Sequence, residues 1–301
     1  MISIKDRIME LKKEKNALIL AHFYQNMDIQ EIADVVGDSF ELATKAKAAD
    51  ADIIVLCGVR FMAESAKILN PNKKVLLPVS DAGCPMADMV TAEDVRNLRV
   101  RYPDAAVVCY INSSAAVKAE SDVCCTSSSA ERIVRSLPQK RIIFIPDQNL
   151  GAFIASKVPE KALILYDGYC PIHHRVSIED VEKVKIFYPD TPILMHPECR
   201  PEVLQLADMV GSTAQIIEYA LKNESNDFVI GTEVGVVSRL RMLAPNKHFY
   251  LLSQGLLCPN MKKTALSDVL FSLEQERYEI KLTPAEIAGA ELSLLRMIQV
   301  T

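Results

Sequence analysis

Short apolar runs alternate with longer polar, helix-periodic stretches along most of the chain. Ala17-Leu18-Ile19-Leu20, Ala106-Val107-Val108-Cys109 and Pro192-Ile193-Leu194-Met195 are three such runs, each led into by a helical pattern. Short β-rich runs separated by helical patterns predict parallel βαβ units. The pattern also repeats residue by residue. Ala92-Glu93-Asp94-Val95 matches Ile178-Glu179-Asp180-Val181, and Tyr102-Pro103-Asp104 matches Tyr188-Pro189-Asp190, both offset by 86. Ile4-Lys5-Asp6-Arg7 is a fainter third copy, with Asp6 lying 88 before Asp94. Polar residues after the runs keep the same spacing: His22, Tyr110 and His196, then Tyr24, Asn112 and Glu198. Further on come Asp34, Asp122 and Asp208, and the hydroxyls Ser39, Ser127 and Thr213 before helical stretches. Pro71, Pro159 and Pro245 each end a helix and start a further apolar run.

A repeat this long marks a duplicated domain rather than a solenoid. The predicted fold is α/β: three homologous three-layer αβα units with parallel sheets of about four strands each, set around a pseudo-threefold axis. The expected units are 1–88, 89–174 and 175–262, followed by a closing segment 263–301 without a counterpart in the repeat. That segment reads as a helix after Thr264, a strand from Arg277 to Leu282 and a helix from Pro284 to Ile298. Open parallel sheets bind ligands beyond the carboxyl ends of their strands. The repeated polar positions follow predicted strands, so the active site is expected at the central junction.

Three of the eight cysteines are each followed by proline: Cys84, Cys170 and Cys258, 86 and 88 residues apart. Each lies in a loop and would deliver one thiol to a common place. Three thiolates are one short of a closed cysteine site, and an open position is where metal chemistry happens. Zinc would want a fourth ligand, for which His173 and His174 are candidates, but they stand in one loop only. A three-thiolate iron–sulfur cluster with one open iron fits the repeat better. Cys57, Cys109, Cys124 and Cys125 sit in apolar runs and read as core residues. Cys199 has no equivalent in the other units and stays open between the two readings.

Composition narrows the setting. Hydrophobic residues make up 50% and charged residues 24% of 301, with no low-complexity segment, so a packed core is expected. The net charge of −5 argues against a general nucleic-acid binder. Met1 to Lys15 reads as a charged helix with Ile4, Ile8 and Leu11 on one face, not as a secretion signal. No apolar run approaches the roughly 18 residues that span a bilayer. A cytoplasmic location is the expectation, and there cysteines serve metal, catalysis or packing rather than disulfides.

The polar candidates each have a plainer explanation. Ser and Thr are preferred helix N-caps, and Ser128 with Glu131 has the spacing of a capping box. A helix N-terminus is also an anion site, so Ser39, Ser127 and Thr213 could line one while neighbours do the capping. A lone histidine is usually a hydrogen-bonded structural residue, but His22 and His196 at equivalent strand ends point to function. Tyr24 and Glu198, again equivalent, supply an acid and a base.

Across nearly its whole length the chain resembles the quinolinate synthase family, iron–sulfur enzymes of NAD biosynthesis. The resemblance rests on Ile19-Leu20-Ala21-His22-Phe23-Tyr24-Gln25, Val36-Gly37-Asp38-Ser39, Phe61-Met62-Ala63-Glu64, Lys67-Ile68-Leu69-Asn70-Pro71, Thr126-Ser127, Cys170-Pro171-Ile172-His173, His196-Pro197-Glu198-Cys199, Val210-Gly211-Ser212-Thr213 and Asn260-Met261-Lys262-Lys263. It implies three αβα domains and one 4Fe–4S cluster on Cys84, Cys170 and Cys258. It implies condensation of iminoaspartate with dihydroxyacetone phosphate to quinolinate, phosphate and two waters, with the open iron as Lewis acid. An aspartate oxidase or dehydrogenase would supply the imine. The resemblance puts His22, Ser39, Met62, Tyr110, Asn112, Ser127, His173, His196, Glu198, Ser212 and Thr213 around substrate. It makes Tyr24 and Glu198, with His22 and His196, the catalytic set. Phe23 stands where the family usually has Asn, Arg60 where it has Asp, and His174-Arg175 where a Gln is common. The extra C-terminal cysteine motif of some members is absent, because Pro259-Asn260-Met261 follow Cys258.

Two rivals bracket this reading. A three-cysteine isoprenoid diphosphate reductase of trilobed fold would need a diphosphate pocket. A zinc or iron–sulfur sensing module would not require the triplicated polar strand ends.

Overall fold

The computed structural model describes residues 2–300. Among the described residues, twelve strands form three parallel sheets. The first holds β1 (Ala17–His22), β2 (Val35–Gly37), β3 (Ile53–Cys57) and β4 (Lys74–Leu76). The second holds β5 (Ala106–Tyr110), β6 (Val123–Cys125), β7 (Arg141–Ile145) and β8 (Ala162–Leu165). The third holds β9 (Ile193–Met195), β10 (Met209–Val210), β11 (Asp227–Gly231) and β12 (His248–Leu251). Each sheet has the same order, β2-β1-β3-β4, β6-β5-β7-β8 and β10-β9-β11-β12. Helices flank all three, so the architecture is the expected triplicate of αβα units.

The repeated residues turn out to do repeated jobs. Helices Ala92–Arg101 and Ile178–Phe187 open with capping boxes, in which Asp94 and Asp180 reach back to the backbone of Thr91 and Ser177. Helix Ile4–Glu14 is capped by Ser3, whose hydroxyl accepts from Asp6 N–H. Asp34, Asp122 and Asp208 stand before the second strand of each sheet. Each carboxylate accepts from the backbone of the first strand, at Ile19 (2.8 Å), Val107 (2.7 Å) and Ile193 (2.8 Å). That bond pins the sheet edge in register.

The central strands are buried on both faces, as parallel sheets between helices require. All of Ile53–Cys57 and all of Ile142–Ile145 are buried. One core joins the first two sheets to the C-terminal helix Pro284–Gln299, through residues such as Leu56, Phe144 and Leu294. That helix lies on Ala115–Ala119 and β6. Helix Leu266–Gln275 lies on Ile4–Glu14 and β3. Of the predicted apolar face, Ile8 and Leu11 are buried while Ile4 is exposed.

Two local expectations fail. The predicted strand over Arg277 to Leu282 is not a strand. The segment touches the first sheet through one antiparallel bridge, Leu76 to Glu279. Left-handed backbone at Glu276 (φ 51°) and Tyr278 (φ 62°) breaks the extended run. The Ser128–Glu131 capping box also does not form. Helix Ala130–Ser136 starts later, and Ser129 spends its hydroxyl on Thr126 N–H at 2.9 Å. Among the described residues, no helix is long and apolar enough to cross a membrane.

Candidate active site

The carboxyl ends of all three sheets face one cavity of about 530 Å³. His22 ends β1, Tyr110 ends β5, and His196 directly follows β9. Cys84, Cys170 and Cys258 line the same cavity. Their thiols feel one another, since Cys258 disfavours the Cys84 thiolate and Cys84 disfavours that of Cys170. Each Cys-Pro opens a short helical turn: Ala87–Met89, Pro171–His174 and Asn260–Lys262. Backbone N–H groups of those turns point at the sulfurs, from Ala87 and Met86, from His173, and from Met261 and Asn260. Burial nevertheless pushes all three thiols up, Cys84 to about 12. Thiolates here call for a bound cation to supply the missing charge.

Glu198 is the hub of the polar network. Its carboxylate accepts from Tyr110 Oη at 2.7 Å and, weakly, from Asn112 Nδ2 at 3.5 Å. Its other oxygen lies 2.8 Å from His173 Nδ1. Burial pushes the Glu198 carboxyl up. The imidazoles of His196 and His173 and hydrogen bonds from His173 and Tyr110 outweigh this and bring it down to about 2. From His173 the network continues through Nε2 to Thr232 Oγ1 (2.9 Å), to Tyr24 Oη (2.9 Å) and to Thr213 Oγ1 (3.1 Å). Thus three hydrogen bonds join Glu198 to Tyr24 through His173 and Thr232.

The two strand-end histidines are matched in detail. His22 Nδ1 accepts from Tyr24 N–H at 3.1 Å, and His196 Nδ1 accepts from Glu198 N–H at 3.4 Å. A ring nitrogen that accepts must be unprotonated, so in both rings Nε2 carries the hydrogen. Burial lowers His22 to about 3 and His196 to about 4, so both are neutral at neutral pH. Burial pushes the phenols of Tyr24 and Tyr110 well above their ordinary range, with Glu198 adding to it, so both keep their protons.

The model for Quinolinate synthetase A protein matches residues 6–299. The chain belongs to this family. It is 55% identical over 296 residues to the quinolinate synthase of Caldicellulosiruptor bescii, covering 98% of each chain. It is 58% identical over 275 residues to that of Alkaliphilus metalliredigens, covering 91% of each. It is 49% identical over 298 residues to quinolinate synthase 2 of Methanosarcina acetivorans, covering 99% of this chain and 96% of that one. Membership in the quinolinate synthetase A family sets the isoprenoid diphosphate reductase aside.

Within this family member, most of the sequence-predicted residues gather. His22, Tyr24, Tyr110, Asn112, His173, His196 and Glu198 all line the cavity, and so do Ser39, Ser127 and Thr213. Ser39 is free to do so because Asp38 caps its helix, accepting from Phe40 and Glu41 N–H. Thr213 is free because Ser212 caps, with Gln215 completing a capping box. Ser212 itself is buried and, like Met62, is not among the lining residues. Cys57, Cys109, Cys124, Cys125 and Cys199 are buried away from the lining. His174 turns outward to Tyr169 and Asn149 Nδ2. Phe23 packs into the core of the third sheet, and Arg60 pairs with Glu64 at 3.0 Å.

Sequence reasoning missed four residues here. Thr232 links His173 to Tyr24, and a lone threonine after a strand gave no signal. Arg175 is the only Lys or Arg among the described residues lining the cavity. Asp147 and Glu233 stand at one repeat position, 86 apart, and that spacing would have found them. Among the described residues, Cys170, His173 and Glu198 are the one group with three donor atoms within 4.8 Å of one another.

Proposed function

We propose that the chain condenses iminoaspartate with dihydroxyacetone phosphate to quinolinate, releasing phosphate and two waters, as an iron–sulfur-dependent transferase of NAD biosynthesis. The observation that carries this is the meeting of three thiols and the Glu198 network, from three separate sheets, in one cavity. Cys84, Cys170 and Cys258 would hold a 4Fe–4S cluster. The donor set fits: three soft thiols, each backed by N–H groups, and among the described residues no fourth cysteine lining the cavity. Bound there, the cluster supplies a Lewis-acidic iron for substrate oxygen.

The chain's own side chains bind, orient and move protons. His22 and His196 offer neutral Nε2–H donors to carboxylate or carbonyl oxygens. The N-termini of helices Ser39–Ala48 and Thr213–Lys222, with the Ser39 and Thr213 hydroxyls, favour carboxylate or phosphate, and Ser127 adds a donor. Tyr110 and Asn112 hold Glu198 against substrate. Glu198, charged at neutral pH, accepts a proton, and Tyr24, protonated, returns one. Iminoaspartate is unstable, so an aspartate oxidase or dehydrogenase must make it nearby, in a cytoplasmic setting.

The test is quinolinate formation by anaerobically reconstituted protein given oxaloacetate, ammonia and dihydroxyacetone phosphate. Product is expected; an intact cluster without product refutes the substrate assignment. A second reading, zinc on Cys170, His173 and Glu198, is favoured by their closeness and is refuted by brown protein containing iron and no zinc.

A further inference from the structure

Each Cys-Pro loop is tied to the helix that follows the third strand of its sheet. Arg60 N–H donates to Ala82 O (2.9 Å), Gln148 N–H to Gly168 O (2.8 Å) and Val234 N–H to Leu256 O (2.9 Å). The acceptors lie two residues before Cys84, Cys170 and Cys258. The residues before these donors are Val59, Asp147 and Glu233, the N-caps of three ten-residue helices.

Two of these caps do more than cap. Asp147 Oδ1 accepts from Leu150 N–H at 2.7 Å, and its Oδ2 accepts from Cys170 N–H at 3.0 Å. Glu233 Oε2 accepts from Gly235 N–H at 2.6 Å, and its Oε1 accepts from Cys258 N–H at 3.3 Å. Both side chains are fully buried. Each carboxylate therefore gives one oxygen to its helix and the other to a cysteine backbone, and Glu233 in addition pairs with Lys262 Nζ at 3.0 Å. Val59, at the same position in the first unit, offers no acceptor to Cys84.

Holding a helix start needs only one oxygen, and Ser or Thr would do. A two-oxygen side chain at this place fixes where the next cysteine stands. The longer acid goes with the longer loop: 25 residues from Glu233 to Cys258, and 23 from Asp147 to Cys170. We infer that Asp147 and Glu233 are positioning residues of the metal site, clasping Cys170 and Cys258. This rests on the three-cysteine cluster proposed above.

Partners that orient a ligand typically govern metal affinity by about 10- to 100-fold. The test follows cluster loss to an iron chelator in reconstituted holoprotein, read by the visible absorbance. Asp147→Ala should lose its cluster about tenfold faster than wild type, and Asp147→Asn, with one acceptor oxygen left, should fall between them. Thr91→Ala removes a helix cap that touches no cysteine and should match wild type. If Asp147→Ala is no faster than Thr91→Ala, the clasp is only a cap and the inference is overturned. If Asp147→Ala does not fold, Asp147→Asn decides on the same comparison. A wild-type protein that takes up no cluster removes the cluster reading and this inference together.

Discussion

Replacing Glu198 with Gln tests the center of the site. The amide has nearly the same shape. Turned with its NH2 toward His173, it keeps both hydrogen bonds if the imidazole carries its proton on Nε2, where Thr232 can accept it. Folding and cluster binding should survive, and what disappears is the charge. The structure sets the scale. Lowering the carboxyl from 4.5 to about 2 corresponds to about 3 kcal/mol in favour of the anion. If that anion accepts the proton during condensation, kcat should fall by roughly 10²- to 10⁴-fold, the usual reach of general base catalysis. The KM values should change much less, because the donors from His22, Ser39 and Thr213 are untouched. The assay is steady-state quinolinate formation at neutral pH, normalised to iron per chain. A Glu198→Gln enzyme with full cluster and kcat within threefold of wild type would refute the role given to the charge.

Other substitutions probe separate parts of the argument. Cys84→Ala, Cys170→Ala and Cys258→Ala should each lose the cluster while Cys57→Ala keeps it; iron analysis decides, and full iron in any of the first three sinks the ligand assignment. Arg175→Ala should raise KM for dihydroxyacetone phosphate by roughly two- to fivefold, about the worth of one exposed charge pair, and flatten the dependence of kcat/KM on salt. An unchanged salt profile removes Arg175 from substrate capture. Burial holds His22 near 3 and His196 near 4 in the fold, against 6.5 when free. The unfolded chain therefore binds protons first, and stability present above about pH 6.5 is lost as pH falls toward 4, by about 2 kcal/mol per imidazole at pH 5. Denaturant titrations of wild type and His22→Gln should show a shallower acid loss in the variant. Leu294→Ala, in the helix that closes the first two units, should cost about 2–5 kcal/mol by the same measurement.

The triplicate was legible in the chain's local pattern. Spacings of 86 and 88 carried the three sheets, the strand-end pairs and the three cysteines, because each repeated residue does a local job that its neighbours dictate. Asp94 and Asp180 close capping boxes, and Asp34, Asp122 and Asp208 pin strand edges. Where a local rule competed with a neighbour, the sequence misled. Ser128 has the spacing of a cap, but Ser129 and Thr126 bond each other and move the helix start. Arg277 to Leu282 has the look of a strand, but two left-handed residues deny it a ladder. How the units serve one another was set by their packing. The hydrogen bonds from Glu198 through His173 and Thr232 to Tyr24 join loops far apart in the chain. The clasp from Asp147 to Cys170 spans 23 residues. Such contacts have no periodicity to read, since they depend on the angle at which packed units meet and on which buried groups are left needing a partner.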